Sequence, residues 1–193
     1  MAAHPPQPHA PQSVVLTFVG PIQVPAATRL RNACAHAVNG KTPRLTILFA
    51  SRGGSLDEGF ALYTFLRALP LELTMHAIGG VESIANVVFL AADKRLGTTE
   101  CHFMFHPYSW PMEARHYVST EIENYQELLK NSASKTYDIL KKRTLLTDEN
   151  LDDLQLLETV SVIAPDLAKE KGIIQEIADA KIPQDWLTYN VEF

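Results

Sequence analysis

Ser83 and His106 are the side chains of this sequence best placed to do chemistry together. Ser83 lies just past a Gly-Gly pair, where an apolar run gives way to a helical pattern. His106 ends the apolar run 101–105, in the sequence Phe-Met-Phe-His-Pro. A serine hydroxyl becomes a nucleophile only with a base within hydrogen-bond reach. A histidine at a neighbouring strand end is the side chain that could supply one. The N–H of Ile84 would then face the oxyanion that forms on attack. Each residue also has a plain structural reading. Ser83 reads equally as an N-cap worth about 1 kcal/mol, and His106 as a half-buried residue closing a strand. Residue type and spacing leave both readings open.

Two Gly-Gly pairs, Gly53-Gly54 and Gly79-Gly80, each follow an apolar run and precede a helical pattern. Read as turns, they offer backbone N–H groups to an anion, either a phosphate or an acyl-transfer oxyanion. Neither pair has the spacing of a dinucleotide or P-loop motif. The serine does not sit in the Gly-x-Ser-x-Gly elbow of the α/β-hydrolases. Cys101, His102 and His116 lie near His106, but their spacing matches no metal-ligand pattern, so no metal site is expected.

The elements that must position these groups alternate. Strands are expected at 14–19, 45–50, 73–78 and 101–105. Helices are expected at 26–39, at 55–69 behind the capping box Ser55-x-x-Glu58, and at 83–92. Apolar strands alternating with helices predict an α/β fold with a mostly parallel sheet covered on both faces. Beyond Pro111 the pattern changes. A long helix is expected over 118–143, with Thr120-x-x-Glu123 as its capping box. Ile122, Tyr125, Leu129, Thr136 and Leu140 form a single stripe on it. One stripe on so long a helix implies projection from the body or packing on another subunit. A short acidic helix at 148–157, strands at 161–164 and 173–177, and a helix turn at 165–171 closed by Gly172 complete the reading.

The chain has 193 residues, enough for one domain with a sizeable core. Residues 1–12 hold four of the twelve prolines and no Asp, Glu, Lys or Arg, the composition of an extended tail. A single domain is therefore expected over 13–193. The net charge of −5 is uneven: +2 over residues 1–100 and −7 over 101–193. No basic stripe suits a nucleic-acid backbone. No apolar run reaches membrane-spanning length, and the first residues lack the pattern of a secretion signal. Two cysteines, Cys34 and Cys101, fit reduced thiols and a cytoplasmic setting.

Four segments together resemble one family. Residues 49–63 are similar to its asparagine-serine-proline-glycine-glycine-serine turn and the helix after it. Residues 77–95 resemble its nucleophile helix, 101–107 the strand ending in its catalytic histidine, and 172–177 its closing glycine-leucine-valine-aspartate segment. The family is the proteolytic subunit of the Clp protease (ClpP), of the ClpP/crotonase fold. The resemblance runs from about 14 to 178. It implies a serine peptidase with Ser83 as nucleophile, His106 as base, and the N–H groups of Gly54 and Ile84 as oxyanion hole. It makes 113–157 the projecting handle through which rings meet. It implies peptide or unfolded-protein substrates, a homo-oligomeric ring, an ATPase partner that feeds it, and no cofactor.

Three positions depart from the family pattern. Arg52 replaces the turn proline. Glu82 precedes the nucleophile, and Ile84-Ala85-Asn86 follows it in place of smaller residues. The window 157–162 holds no aspartate for the third triad member. Thr159 fits the count, and Glu158, one place away, is the acid nearest to it. Losing the triad acid costs a serine protease on the order of 10⁴ in turnover. Two other readings therefore stand beside the peptidase. One is a weakly active or non-catalytic ring scaffold. The other is a crotonase-type acyl-CoA enzyme, against which residues 20–70 show no basic site for a nucleotide phosphate.

Overall fold

The computed structural model describes residues 13–191, so the Pro-rich segment 1–12 lies outside the described residues. Eight strands form one sheet. The first five are β1 (Val14–Val19), β2 (Arg44–Ser51), β3 (Glu72–Glu82), β4 (Lys94–Gly97) and β5 (His102–Phe105). The last three are β6 (Ser161–Ile163), β7 (Glu176–Ile177) and β8 (Leu187–Asn190). Six helices join them: α1 (Val24–Asn39), α2 (Leu56–Arg67), α3 (Ala85–Phe89), α4 (Ser119–Arg143), α5 (Asp148–Asp153) and α6 (Pro165–Glu170).

The main path runs β6-β5-β3-β2-β1-β8. Every pairing is parallel except β5 with β6. Helical connections over a parallel sheet need buried residues on both faces: β1, β2 and β3 bury Leu16, Phe18, Ile47, Phe49, Met75 and Ala77 on one face, and Val15, Leu48 and His76 on the other. β3 is long enough to serve two neighbours along one edge. Its first half pairs with β4, Thr74 to Lys94 through Ala77 to Gly97. Its second half pairs with β5, Gly80 to His102 through Glu82 to Met104.

The Gly79-Gly80 pair is thus strand interior, not a turn. The space a Gly80 side chain would take is filled by the Glu82 carboxylate and the His102 ring, each 2.8 Å from an ideal Cβ. The connection to the helix falls later, at Ser83 and Ile84, and α3 is shorter than the expected 83–92. β4 and β8 are further additions to the expected elements. The long helix spans 25 residues, near the expected bounds. Its start differs in detail: the Glu121 carboxylate, not Glu123, accepts the Val118 N–H at 3.1 Å.

The core beneath the α3 turn is a run of phenylalanines. Phe18 stacks on Phe49 at 5.4 Å between ring centres, Phe49 meets Phe89 at 6.3 Å, and Phe89 meets Phe103 at 5.3 Å. Phe89 of α3 is therefore wedged between β2 and β5, and such pairs add about 0.5–1.5 kcal/mol to the burial itself. This packing fixes the short helix, and with it the residues that precede it.

Candidate functional site

Because β2, β3 and β5 are parallel neighbours, their last residues lie on one edge of the sheet. In open parallel sheets that carboxyl edge is where binding groups gather. Three connections meet there: the turn after Ser51, the turn at Ser83, and the segment that begins at His106.

The first turn is shaped by two glycines. Gly53 has φ +86° and Gly54 φ +148°. An ideal Cβ on Gly53 would stand 2.8 Å from Ser83 Cβ and 3.3 Å from Ser83 Oγ, so the bare backbone runs against the serine side chain. A Cβ on Gly54 would fall 2.2 Å from the Ile22 carbonyl oxygen. The turn is held by Ile22 N–H on the Gly53 carbonyl and Ser55 N–H on the Ile22 carbonyl, both 2.8 Å. Arg52, in the place of the family's proline, is exposed. Gly53 N–H donates to Ser51 Oγ at 3.1 Å.

Ser83 has φ +57°, a left-handed conformation that a non-glycine residue adopts at a cost of about 1–3 kcal/mol. It is buried, at 8% exposure. Its N–H donates to the Met104 carbonyl at 2.9 Å, which continues the β3–β5 ladder one residue past Glu82. A reversal in one residue takes the chain from strand to helix and keeps the side chain near the Gly53 turn. Among the described residues, the N–H groups of Gly54 and Ile84 donate no hydrogen bond, and neither does the Ser83 hydroxyl.

Glu82 does not turn toward the serine hydroxyl. Its carboxylate lies 3.3 Å from His102 Nε2, over Gly80 on the sheet face. His106, half-buried, follows β5 directly. Its Nδ1 lies 2.8 Å from the Pro107 carbonyl oxygen. A carbonyl only accepts, so Nδ1 carries the proton, and in the neutral ring Nε2 keeps its lone pair. Two residues on, Tyr108 is half-buried and its hydroxyl lies 2.9 Å from Thr136 Oγ1 on α4. The Thr136 hydroxyl spends its hydrogen on the Ser132 carbonyl at 3.0 Å, so Tyr108 is the donor. Burial pushes the Tyr108 phenol up to about 12. The segment after His106 is thus pinned to the long helix.

Thr159 and Glu158 leave a tight turn in which both N–H groups donate to the Gln155 carbonyl, at 3.2 and 3.0 Å. β6 runs antiparallel to β5 with Phe105 opposite Ser161, so Thr159, just before β6, lies at the end of the sheet from which His106 follows β5. Both Thr159 and Glu158 are exposed. Among the described residues neither side chain hydrogen-bonds His106. The strand ends therefore collect Ser83, Gly54, Ile84 and His106 on one edge, with Thr159 at its margin. Sequence spacing alone gave no signal for the Pro107 carbonyl, because a backbone acceptor has no residue type.

Both cysteines are free and buried. Burial raises the Cys34 thiol to about 12 and the Cys101 thiol to about 11, so neither is a nucleophile near neutral pH. No group of three or more His, Cys, Asp or Glu that could hold a metal ion occurs among the described residues. No helix among them is long and apolar enough to cross a membrane.

Comparison with known proteins agrees with this layout. The chain is 30% identical over 105 residues to the ATP-dependent Clp protease proteolytic subunit 2 of Treponema denticola, covering 53% of this chain and 51% of that protein. It is 28% identical over 111 residues to the subunit of the same name from Borreliella burgdorferi, covering 56% and 54%. The chain thus spans about half the length of the curated relatives it matches. A solved structure, a ClpP1 mutant from Listeria monocytogenes, superposes with a TM-score of 0.75 at 18% identity, over 86% of this chain and 92% of that one. That likeness shows the ClpP/crotonase-like fold. The family model described as Clp protease matches residues 14–181, from the first residue of β1 to beyond β7, and so takes in every strand that builds the carboxyl edge. By that match the chain belongs to the Clp protease family.

Proposed function

We propose that the chain is a serine-type peptidase that cleaves peptide bonds through an acyl-enzyme on Ser83. The observation that carries this reading is the left-handed Ser83 beside two undirected backbone N–H groups, just past the end of β3, the neighbour of the strand that His106 follows. Ser83 Oγ attacks the scissile carbonyl while His106 Nε2 takes its proton. The N–H groups of Gly54 and Ile84 receive the oxyanion. Collapse of the tetrahedral intermediate breaks the C–N bond, and His106 returns the proton to the leaving amine. Water then attacks the acyl-enzyme by the same route in reverse. The sequence uses side chains and backbone alone, without a cofactor.

The orienting role falls to the Pro107 carbonyl, which fixes the ring tautomer but adds no charge. Thr159 is the third position by count, with Glu158 its acidic neighbour. Substrates are peptides or unfolded chains. The working form is a homo-oligomeric ring in the cytoplasm with an ATPase as its feeding partner. The exposed apolar residues of 110–128 support self-association.

A fluorophosphonate probe tests the chemistry. Ser83 is expected to carry the adduct, and His106→Ala to slow labelling about 10³-fold or more. A folded protein that takes no label overturns the reading in favour of a non-catalytic scaffold.

A further inference from the structure

Asn86 sits in the first turn of α3 and is 2% exposed, among the buried apolar residues Ala85, Val87, Val88 and Phe89. Its amide Nδ2 donates twice, to the Ser83 carbonyl at 3.0 Å and to the Met104 carbonyl at 2.8 Å. Both partners accept only, so the amide orientation is set by them. The same two carbonyls have other donors. Met104 O accepts Ser83 N–H at 2.9 Å, and Ser83 O accepts Asn86 N–H at 3.1 Å. The remaining amide oxygen, Oδ1, is buried with no hydrogen-bond partner among the described residues.

Stability alone gives no reason for this side chain. Neither carbonyl would be orphaned without it, and it brings a buried acceptor that is itself unpaired. What the amide adds is geometry. One side chain closes a ring through both backbone polar groups of Ser83 and the carbonyl two residues before His106. It braces the left-handed serine and joins the nucleophile's turn to the base's strand. We infer that Asn86 is a positioning residue that sets the Ser83–His106 geometry by clamping the Ser83 turn to β5. The inference rests on the peptidase reading and supplies a local brace where the third triad position carries no acid.

Asn86→Leu is the sharper probe, because leucine keeps the branched shape while removing both donors and the orphaned acceptor. Asn86→Ala is its companion. Both are made in the full chain and followed by fluorophosphonate labelling, by turnover of a reporter peptide, by thermal melting and by hydrogen exchange. Asn86→Leu is expected to melt at or above the wild-type temperature. It should label Ser83 about 10- to 100-fold more slowly, the penalty of small misplacement in a reacting pair. The loss should fall on kcat, with KM within about twofold. Exchange should quicken at 83–86 and 103–106 and stay unchanged in α1 and β1. Labelling at the wild-type rate in folded Asn86→Leu overturns the inference. So does a fall in melting temperature that tracks the loss of labelling in both variants, which would make the role structural. If the wild-type protein takes no label, the peptidase reading fails by itself, and exchange decides the clamp. Local quickening upholds it, and an unchanged pattern overturns it.

Discussion

A histidine that accepts a proton at one ring nitrogen has to be held at the other. In most Ser-His-Asp sites a carboxylate holds it and also stabilises the imidazolium. Here Nδ1 of His106 meets the Pro107 carbonyl at 2.8 Å, so orientation is present and the compensating charge is not. The β5–β6 ladder identifies where a charge could be added: Thr159 comes two residues before Ser161, which pairs with Phe105, the residue before His106. Thr159→Asp is therefore expected to raise the rate of Ser83 labelling about 10-fold, a fraction of the roughly 10⁴ that a triad acid is worth. The labelling rate of that variant against the wild type measures it. An unchanged rate would remove Thr159 from the site and leave the Pro107 carbonyl as the whole of the orienting group. Glu82 is a contrasting case at this scale. A carboxylate beside the proposed nucleophile Ser83 would oppose an oxyanion, but this one is drawn to His102 across the sheet face.

Among the elements, a cluster of arginines ties the α3 region to its surroundings. Arg95, 3% exposed, donates from Nε to the Ile173 carbonyl, from Nη1 to Ala92, and from Nη2 to Arg143 and Gly172. Arg143, in the last turn of α4, donates to the carbonyls of Leu90 and Ala92 and to Asp93. The end of α3, the end of α4 and the end of α6 are thus joined through their carbonyls. Burial first, and the nearby Arg143 second, bring the Arg95 guanidinium down to about 10, so it remains charged at neutral pH. Charge-assisted bonds of this kind are worth about 1.5–3 kcal/mol each, partly offset by desolvation. Arg95→Met should then destabilise the fold by about 3 kcal/mol or more in urea unfolding. Arg95→Lys should recover only part, because an ammonium cannot span four acceptors. A wild-type midpoint for Arg95→Met would show the cluster to be energetically idle. The same residue explains why β4 was not legible. Lys-Arg-Leu-Gly is short and charged and reads as a loop until its arginine is seen to be buried. β3 was legible only to Ile78, since Gly79-Gly80 carries the composition of a turn and its strand role comes from the Glu82 and His102 side chains lying over Gly80. β8 has four exposed residues and no buried face, so it lacks the alternation that marks a strand. The apolar strands β1, β2 and β5 and the amphipathic α1 and α2 were legible because burial on one or both faces wrote the pattern directly.

At the scale of the whole molecule, the acidic second half resolves into a surface. Most of its acids lie on α4, on α5 and in the turn after it, where the side chains are largely exposed. They are interleaved with lysines, and with apolar residues that the body of the protein leaves uncovered. α4 rises about 1.5 Å per residue, so its 25 residues extend close to 38 Å. Its only buried residues are Thr136 and Leu140, in the second half. The other members of the expected stripe lie in the first half, where Ile122 is 41% exposed; Leu128, on a different face of the same half, is 50% exposed. Trp110, Met112 and Val118 are exposed on the preceding segment, which is held to the helix by Trp110 against Tyr125 at 5.4 Å. Exposed apolar side chains on a helix that buries so little would suit a second copy of the same element, since a self-complementary face needs mixed charges and a shared apolar seam. The protein should therefore run as a multimer by light scattering at micromolar concentration. Ile122→Lys with Leu128→Lys should shift it to a smaller species with unchanged helical content, because neither residue is part of the core. A wild-type monomer would sink the self-association reading. A multimer that survives both lysines would place the seam elsewhere on the molecule and free the α4 face for another partner.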